Sequence, residues 1–375
     1  MAKKTINING TATQMVNDIN SNFDELYQGA GGGGSVSGLP TKRVRVYDVI
    51  KRAWKSGGAG TVQVPVTITA GTKYVIEKAE AGANWGNMTV AIAGGSSTQT
   101  LLTTNVSQVV TSDKGFGEEI EATVDGTMFT IYSYQTGLIN IYHYEDVPTT
   151  GASRWLGKKW LVIGDSISTI HADEADVSYS ELVAKSMYMH MENVAVSGKN
   201  TLNYIDGFSV NGRNYKWDAF STEYDLVTVM LGANDQGYNC PVGVIGDTGT
   251  GTFIGRLKTL YNNLRGRYPK SVIAFITPIK RYTNSGEVYT NTQGLSTEPY
   301  AQAMRDVCNL YSIPCIDLYY CIDPSTQTAR DNFFIESGGS HDGTHPNDVG
   351  HALFIAPIVE ARLRDIAPFY FNDWT

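Results

Sequence analysis

The sequence predicts an open α/β fold over residues 151–375, with a parallel sheet covered by helices on both faces. A β-sandwich over residues 41–150 and a short helix within residues 1–28 precede it. Three observations carry this reading. From residue 159 onward, short continuous apolar runs alternate with amphipathic helical patterns, as strands buried on both faces require. Between residues 41 and 150, short alternating runs are punctuated by Gly, Asn, Asp and Ser, as in all-β domains. Residues 29–38, GAGGGGSVSG, have the composition of a flexible linker, so 29–40 reads as a tether. The 375 residues suffice for two or three domains, and 42% hydrophobic against 18% charged residues is a globular balance.

Taken in order, residues 11–27 place Val16, Ile19, Phe23 and Leu26 three, four and three apart, with Thr11 as an N-cap. So short a helix is marginal alone in water, so the apolar seam predicts a partner, either sister chains in a homotrimer or another protein. RVYDVIKRAWK (residues 45–55) is read as a helix with Val46, Ile50 and Trp54 on one face. Strands are expected at TVQVPVTI, KYVIEKA, MTVAIAG, SQVVTS, EEIEATV, MFTIYSY and LINIYHY, a number that suits a sandwich such as a jelly roll. Carbohydrate binding and a scaffold role are both open for it, because fold does not fix function. In the third region the expected strands are KWLVIGDS, MENVAVSG, YDLVTVMLGAND, SVIAFITPI and CIDLYY. The expected helices are YSELVAKSM, TFIGRLKTLYNNLRGRYP, EPYAQAMRDVCNLYSI and NDVGHALFIAPIVEARLRDI.

Charge and cysteine content narrow the function. With 29 Lys and Arg against 37 Asp and Glu, the net charge is −8 and no basic run points to nucleic acid. No apolar run reaches the length of a membrane span, and the N-terminus lacks the apolar core of a signal peptide. A protein folded in the cytoplasm is expected, with no membrane or nucleic-acid partner. The cysteines, Cys240, Cys308, Cys315 and Cys321, form no C-x-x-C pair and read as reduced core thiols. No cofactor or metal motif stands out.

Open α/β sheets carry their sites at the carboxyl ends of the strands. There the sequence places Gly164-Asp165-Ser166, then Ser197-Gly198, then Asn234-Asp235, with HDGTHP (341–346) before the last helix. Ester cleavage needs this set. A serine hydroxyl is a weak nucleophile until a base lies in hydrogen-bond reach, which His345 can supply. Asp342 can hold the imidazole tautomer. The backbone N–H groups of Ser166 and Gly198 and the side-chain amide of Asn234 can face the developing oxyanion. His341 is an alternative base. His341 and His345 are also spaced as a metal pair, but they lie in a Gly- and Pro-containing loop with no third ligand evident. Asp165 reads as turn support, Asp235 as the residue ordering the Asn234 loop, and Asp317 and Asp323 as caps.

GDS at Ser166, VAVSGKN at Gly198, GAND at Asn234 and DGTHP at His345 together resemble the four blocks of the SGNH hydrolases, also called GDSL esterases or lipases. The resemblance spans residues 157–367, with Ile167 replacing the usual Leu after GDS. It implies a flavodoxin-like three-layer α/β/α domain. It also implies Ser166 as nucleophile, Asp342 and His345 completing the triad, and Ser166, Gly198 and Asn234 as the oxyanion hole.

The loops expected around this site are polar and aromatic and include Tyr204, Trp217 and Tyr238 as candidate substrate contacts. A lipase would want a greasier channel, so a short acyl group, acetyl above all, on a carbohydrate is the expected substrate. Free glycan esterase, arylesterase, thioesterase and phospholipid activities stay open. The N-terminal segment TATQMVNDINSNFDELYQ is similar to the starts of bacteriophage tail and tail-fibre proteins. That resemblance implies a virion-attached esterase acting on a bacterial surface polysaccharide, held to other tail proteins by the N-terminal helix. Two alternatives are a cytoplasmic or exported bacterial enzyme and a receptor-binding tail protein whose hydrolase fold only binds.

Overall fold

The structure, a computed structural model, describes residues 41–55, 60–78, 86–93, 99–106, 118–133, 137–148, 153–169, 178–210, 213–337 and 340–370. The expected N-terminal helix, the linker and the expected strand SQVVTS lie outside the described residues.

The first described region is all β. Strands β1 (Thr41–Lys55), β8 (Gly137–Pro148), β3 (Lys73–Lys78) and β6 (Glu118–Glu121) form one antiparallel sheet in that order. Strands β2 (Gly60–Ile68), β7 (Gly126–Ser133), β4 (Gly86–Ala93) and β5 (Gln99–Val106) form another. Val64, Val90, Ile92, Phe129 and Ile131 of one sheet share a buried cluster with Tyr74 and Ile141 of the other. The segment read as a helix over residues 45–55 lies instead in β1. Its β-branched residues favour a strand. The register of β1 against β8 shifts between Val46 and Lys51, and this irregularity breaks the two-residue alternation and mimics a helical spacing.

From residue 159 the chain builds one parallel sheet in the order β10-β9-β13-β14-β15. These are β9 (Lys159–Gly164), β10 (His190–Asn193), β13 (Leu226–Met230), β14 (Val272–Ile276) and β15 (Cys315–Ile316). Counted within the sheet the order is 2-1-3-4-5, that of flavodoxin-like folds. Alternate residues of β9 point to opposite faces. Trp160 and Val162 join a core with Val183 and Met187 of helix α1 (Tyr179–Met187) and Val359 and Leu363 of the C-terminal helix. Leu161 and Ile163 join the other core with Leu257, Leu260 and Leu264 of Phe253–Arg267 and Met304 and Val307 of Glu298–Tyr311. Burial on both faces explains why these strands lack polar alternation.

The long loop after β10 is more structured than its composition suggested. It forms helix α2 (Thr201–Asp206) and a small hairpin of β11 (Phe208–Val210) and β12 (Arg213–Tyr215). A second hairpin, β16 (Phe334–Ser337) with β17 (Ser340–Pro346), occupies the segment read as a loop before the last helix. That helix does not run evenly. His351–Ile355 is a π turn directly before Ala356–Tyr370. Pro357 lacks an N–H and its ring clashes with the carbonyl four residues back, so a locally widened turn relieves both conflicts.

Candidate active site

The parallel register pairs Met230 with Gly164, which sets the carboxyl ends of β9 and β13 level. Ser166 follows β9 directly. Its turn is held by Asp165, whose Oδ1 accepts from the Ile167 N–H at 3.1 Å and whose carbonyl accepts from the N–H groups of Ser168 and Thr169. Asp165 is 2% exposed, and this burial, partly offset by the Ile167 hydrogen bond and by His345 and Arg281, pushes its carboxyl up to about 6.

Ser166 Oγ lies 2.8 Å from His345 Nε2, and His345 Nδ1 lies 2.5 Å from Asp342 Oδ2. The other carboxylate oxygen of Asp342 accepts from the N–H groups of Thr344 and His345, both at 2.9 Å. Burial works to raise the Asp342 pKa, but the hydrogen bonds and charge of His345 outweigh it and hold the carboxyl below its ordinary value. The turn between these partners needs glycine. Gly343 has φ +59°, and a Cβ there would stand 3.0 Å from the Tyr282 carbonyl oxygen.

Val196 N–H donates to the Gly164 carbonyl, which draws the Gly198 turn towards the end of β9. Gly198 has φ +75°, and a Cβ there would meet nothing closer than Tyr238 Oη at 3.9 Å, so the space beside it is open. Asn234 Nδ2 spends one N–H on the Lys199 carbonyl at 3.1 Å, which places its amide beside the Gly198 turn and leaves a second N–H. Neither Ser166 nor Gly198 donates its backbone N–H to an acceptor among the described residues. Asp235, fully buried, ties the Asn234 and Gly198 segments together. Its Oδ2 accepts from Thr201 N and Oγ1 at 3.0 and 2.9 Å, and its Oδ1 from Arg256 Nη1 at 2.9 Å.

A family model for the GDSL-like lipase/acylhydrolase family matches residues 162–353. This chain belongs to that family. The GDSL hydrolase is therefore an ester hydrolase, and the match covers all four segments described above. A comparison with curated proteins found no match. Among solved structures, the GDSL hydrolase is similar to a protein from Lactobacillus plantarum at 24% identity, covering 58% of this chain and 99% of that one, TM-score 0.47. A phospholipase A1 from Streptomyces albidoflavus is similar at 16% identity, over 55% and 99% of the two chains, TM-score 0.39. A family two carbohydrate esterase from Cellvibrio japonicus is similar at 14% identity, over 88% and 98%, TM-score 0.42. Likenesses at this level say nothing of substrate.

The three candidate substrate contacts fare differently. Tyr204 is fully buried in the GDSL hydrolase, and its hydroxyl lies 2.8 Å from the carbonyls of both Gly164 and Val194. It braces two site segments and presents nothing to a substrate, because α2 turns it into the core. Trp217 is half-buried against the same core. Tyr238 is 64% exposed with its hydroxyl 3.4 Å from the Gly198 carbonyl, so it stands at the rim. His341 Nδ1 lies 2.7 Å from the Phe334 carbonyl, and it is His345 that contacts Ser166. Asp317 is engaged by Arg305 and Asp323 by the Ser325 N–H. Among the described residues no group of three or more His, Cys, Asp or Glu side chains could hold a metal ion, and no helix is long and apolar enough to cross a membrane.

The loop after β14, KRYTNSGEVYTNTQG, was expected near the site from its sequence, and it supplies most of the wall beside His345. A cleft of about 550 Å³ opens there, lined among others by Arg281, Thr283, Asn284, Ser285, Tyr289 and Thr344. Arg281 itself was not singled out, although it follows β14 on the same rim of the sheet as the other site residues.

Proposed function

We propose that this GDSL hydrolase is a serine esterase that removes short acyl groups, acetyl above all, from a carbohydrate, with a bacterial surface polysaccharide as the natural substrate. The observation that carries the chemistry is the hydrogen-bonded line from Ser166 through His345 to Asp342 beside unengaged N–H donors. Ser166 Oγ attacks the acyl carbonyl while its proton passes to His345 Nε2, and Asp342 stabilises the resulting imidazolium. The N–H groups of Ser166 and Gly198 and the free amide N–H of Asn234 receive the oxyanion. His345 returns the proton to the leaving sugar hydroxyl as the ester C–O bond breaks, and water then releases the acid from Ser166 by the same route. The hydroxyl and amide side chains along the cleft beside His345 support a polyol as the leaving group.

In the same reading, residues 41–148 form a jelly-roll sandwich. Its strands pair as 1 with 8, 2 with 7, 3 with 6 and 4 with 5, the nested pattern of a long ribbon rolled into two sheets. The seam in residues 11–27 and the Gly-rich tether support attachment to a larger assembly, and the setting we propose is a phage tail.

Acetate release from acetylated glycans, and from p-nitrophenyl acetate, tests the enzymatic reading. The wild type turns over both. Ser166→Ala falls to background, and Asn234→Ala loses about 10²–10³-fold in kcat. A wild type inert towards every short acyl ester would leave a binding protein with a hydrolase fold.

A further inference from the structure

The cleft beside His345 contains a cation with no ion-pair partner among the described residues. Arg281 leaves the end of β14 and reaches back across the rim. Its Nη1 donates to the Ala233 carbonyl at 2.9 Å and to Gln236 Oε1 at 3.0 Å, and its Nε lies 3.5 Å from Thr344 Oγ1. The guanidinium sits 4.4 Å from the centroid of the Tyr289 ring. Its Nη2 makes no hydrogen bond to any described residue. No carboxylate among the described residues forms an ion pair with it. Asp165 and Asp342 act on it only through their fields, and burial pulls its pKa down despite them and Tyr289.

A partly buried charge is costly unless something pairs with it. Neutral acceptors engage two nitrogens of this fork, Nη1 closely and Nε at 3.5 Å, and an anion is the natural partner for the N–H groups left at Nη2. The position says which part of a substrate that would be. In ester cleavage the alcohol half leaves on the side of the group that protonates it, and Arg281 and His345 line one cleft. We infer that the alcohol half is an acidic saccharide, whose carboxylate is held by Arg281. This rests on the esterase reading above and adds the class of sugar. The chain's net charge of −8 gives an anion no long-range attraction, so selection is made at contact, by this one side chain.

The test compares acetylated oligogalacturonides with the same oligomers after their carboxyls are reduced to alcohols, reading acetate release. Wild type should prefer the acidic series by about tenfold or more in kcat/KM at low salt, less at high salt. Arg281→Gln should bring the two series level, while Arg281→Lys keeps part of the preference. No acidic preference in the wild type overturns the inference. So does an Arg281→Gln loss that is equal on both series, which would make Arg281 only a brace between the Asn234 and His345 segments. Calorimetry separates this result from the esterase reading. Ser166→Ala protein should bind unacetylated oligogalacturonide and lose that binding when Arg281→Gln is added. Absence of binding overturns the acidic-sugar inference even if p-nitrophenyl acetate is hydrolysed. An inert wild type that binds the acid retains it.

Discussion

Asp165 and Asp342 flank the same histidine and titrate in opposite directions. Asp342 is held below its ordinary value by His345, so the stability it contributes is present at neutral pH and is lost only as pH falls through its lowered folded value. Asp165 is held up to about 6 by burial. Between its ordinary value of 3.8 and about 6 the unfolded chain has shed that proton and the folded chain has not. Its contribution therefore lowers stability as pH rises through this window, by on the order of 3 kcal/mol in all. Asp165→Asn mimics the protonated form. Urea unfolding at several pH values should show the variant gaining on wild type from pH 4 to 6 and holding that gain above it. A difference that does not change with pH would mean Asp165 is ionised in the fold throughout. Ser166, Gly198, Asn234, Asp342 and His345 could be picked out as candidates because each sits in a short motif at a strand's carboxyl end or just before a helix. Tyr204 was misread because a loop composition hid a helix, and Arg281 was not singled out because a lone arginine after a strand carries no motif.

At the level of elements, the hairpin β16–β17 positions His345 and Asp342. Asp342 and His345 are three residues apart, and their contact depends on the left-handed turn at Gly343, whose carbonyl also receives the Tyr282 N–H at 3.0 Å. An alanine there meets the Tyr282 carbonyl at 3.0 Å and Arg330 Cδ at 3.3 Å. Gly343→Ala should cost about 1–3 kcal/mol of stability and lower kcat by at least about tenfold with little change in KM. Thermal unfolding and steady-state kinetics on p-nitrophenyl acetate read both. Full activity in the variant would mean the Asp342–His345 contact does not need this turn. The hairpin itself was not legible, because SHDGTHP has the polar, turn-forming composition of a loop and becomes a strand only by pairing with β16. β1 failed in the reverse direction, its irregular register giving apolar residues a helical spacing.

For the whole molecule, the assembly proposed for the N-terminal segment has its own measurement. Light scattering should give the full chain a mass of about three protomers if the seam of Val16, Ile19, Phe23 and Leu26 drives a trimer. A chain beginning at residue 41 should give one. Equal masses would remove the seam from the account of assembly. The sequence by itself determined the α/β class of residues 159–370, the direction of the sheet and which residues stand as candidates for nucleophile, base and oxyanion donors. It could do so because buried parallel strands leave continuous apolar runs, and because ester chemistry admits few residue types at fixed places on such a sheet. Only the tertiary structure decided that Tyr204 is internal, that Asp235 joins two site segments and that Arg281 reaches the cleft beside His345. Those facts depend on contacts between residues 30 to 60 positions apart or more, and local sequence carries no record of which distant side chain will fill a given space.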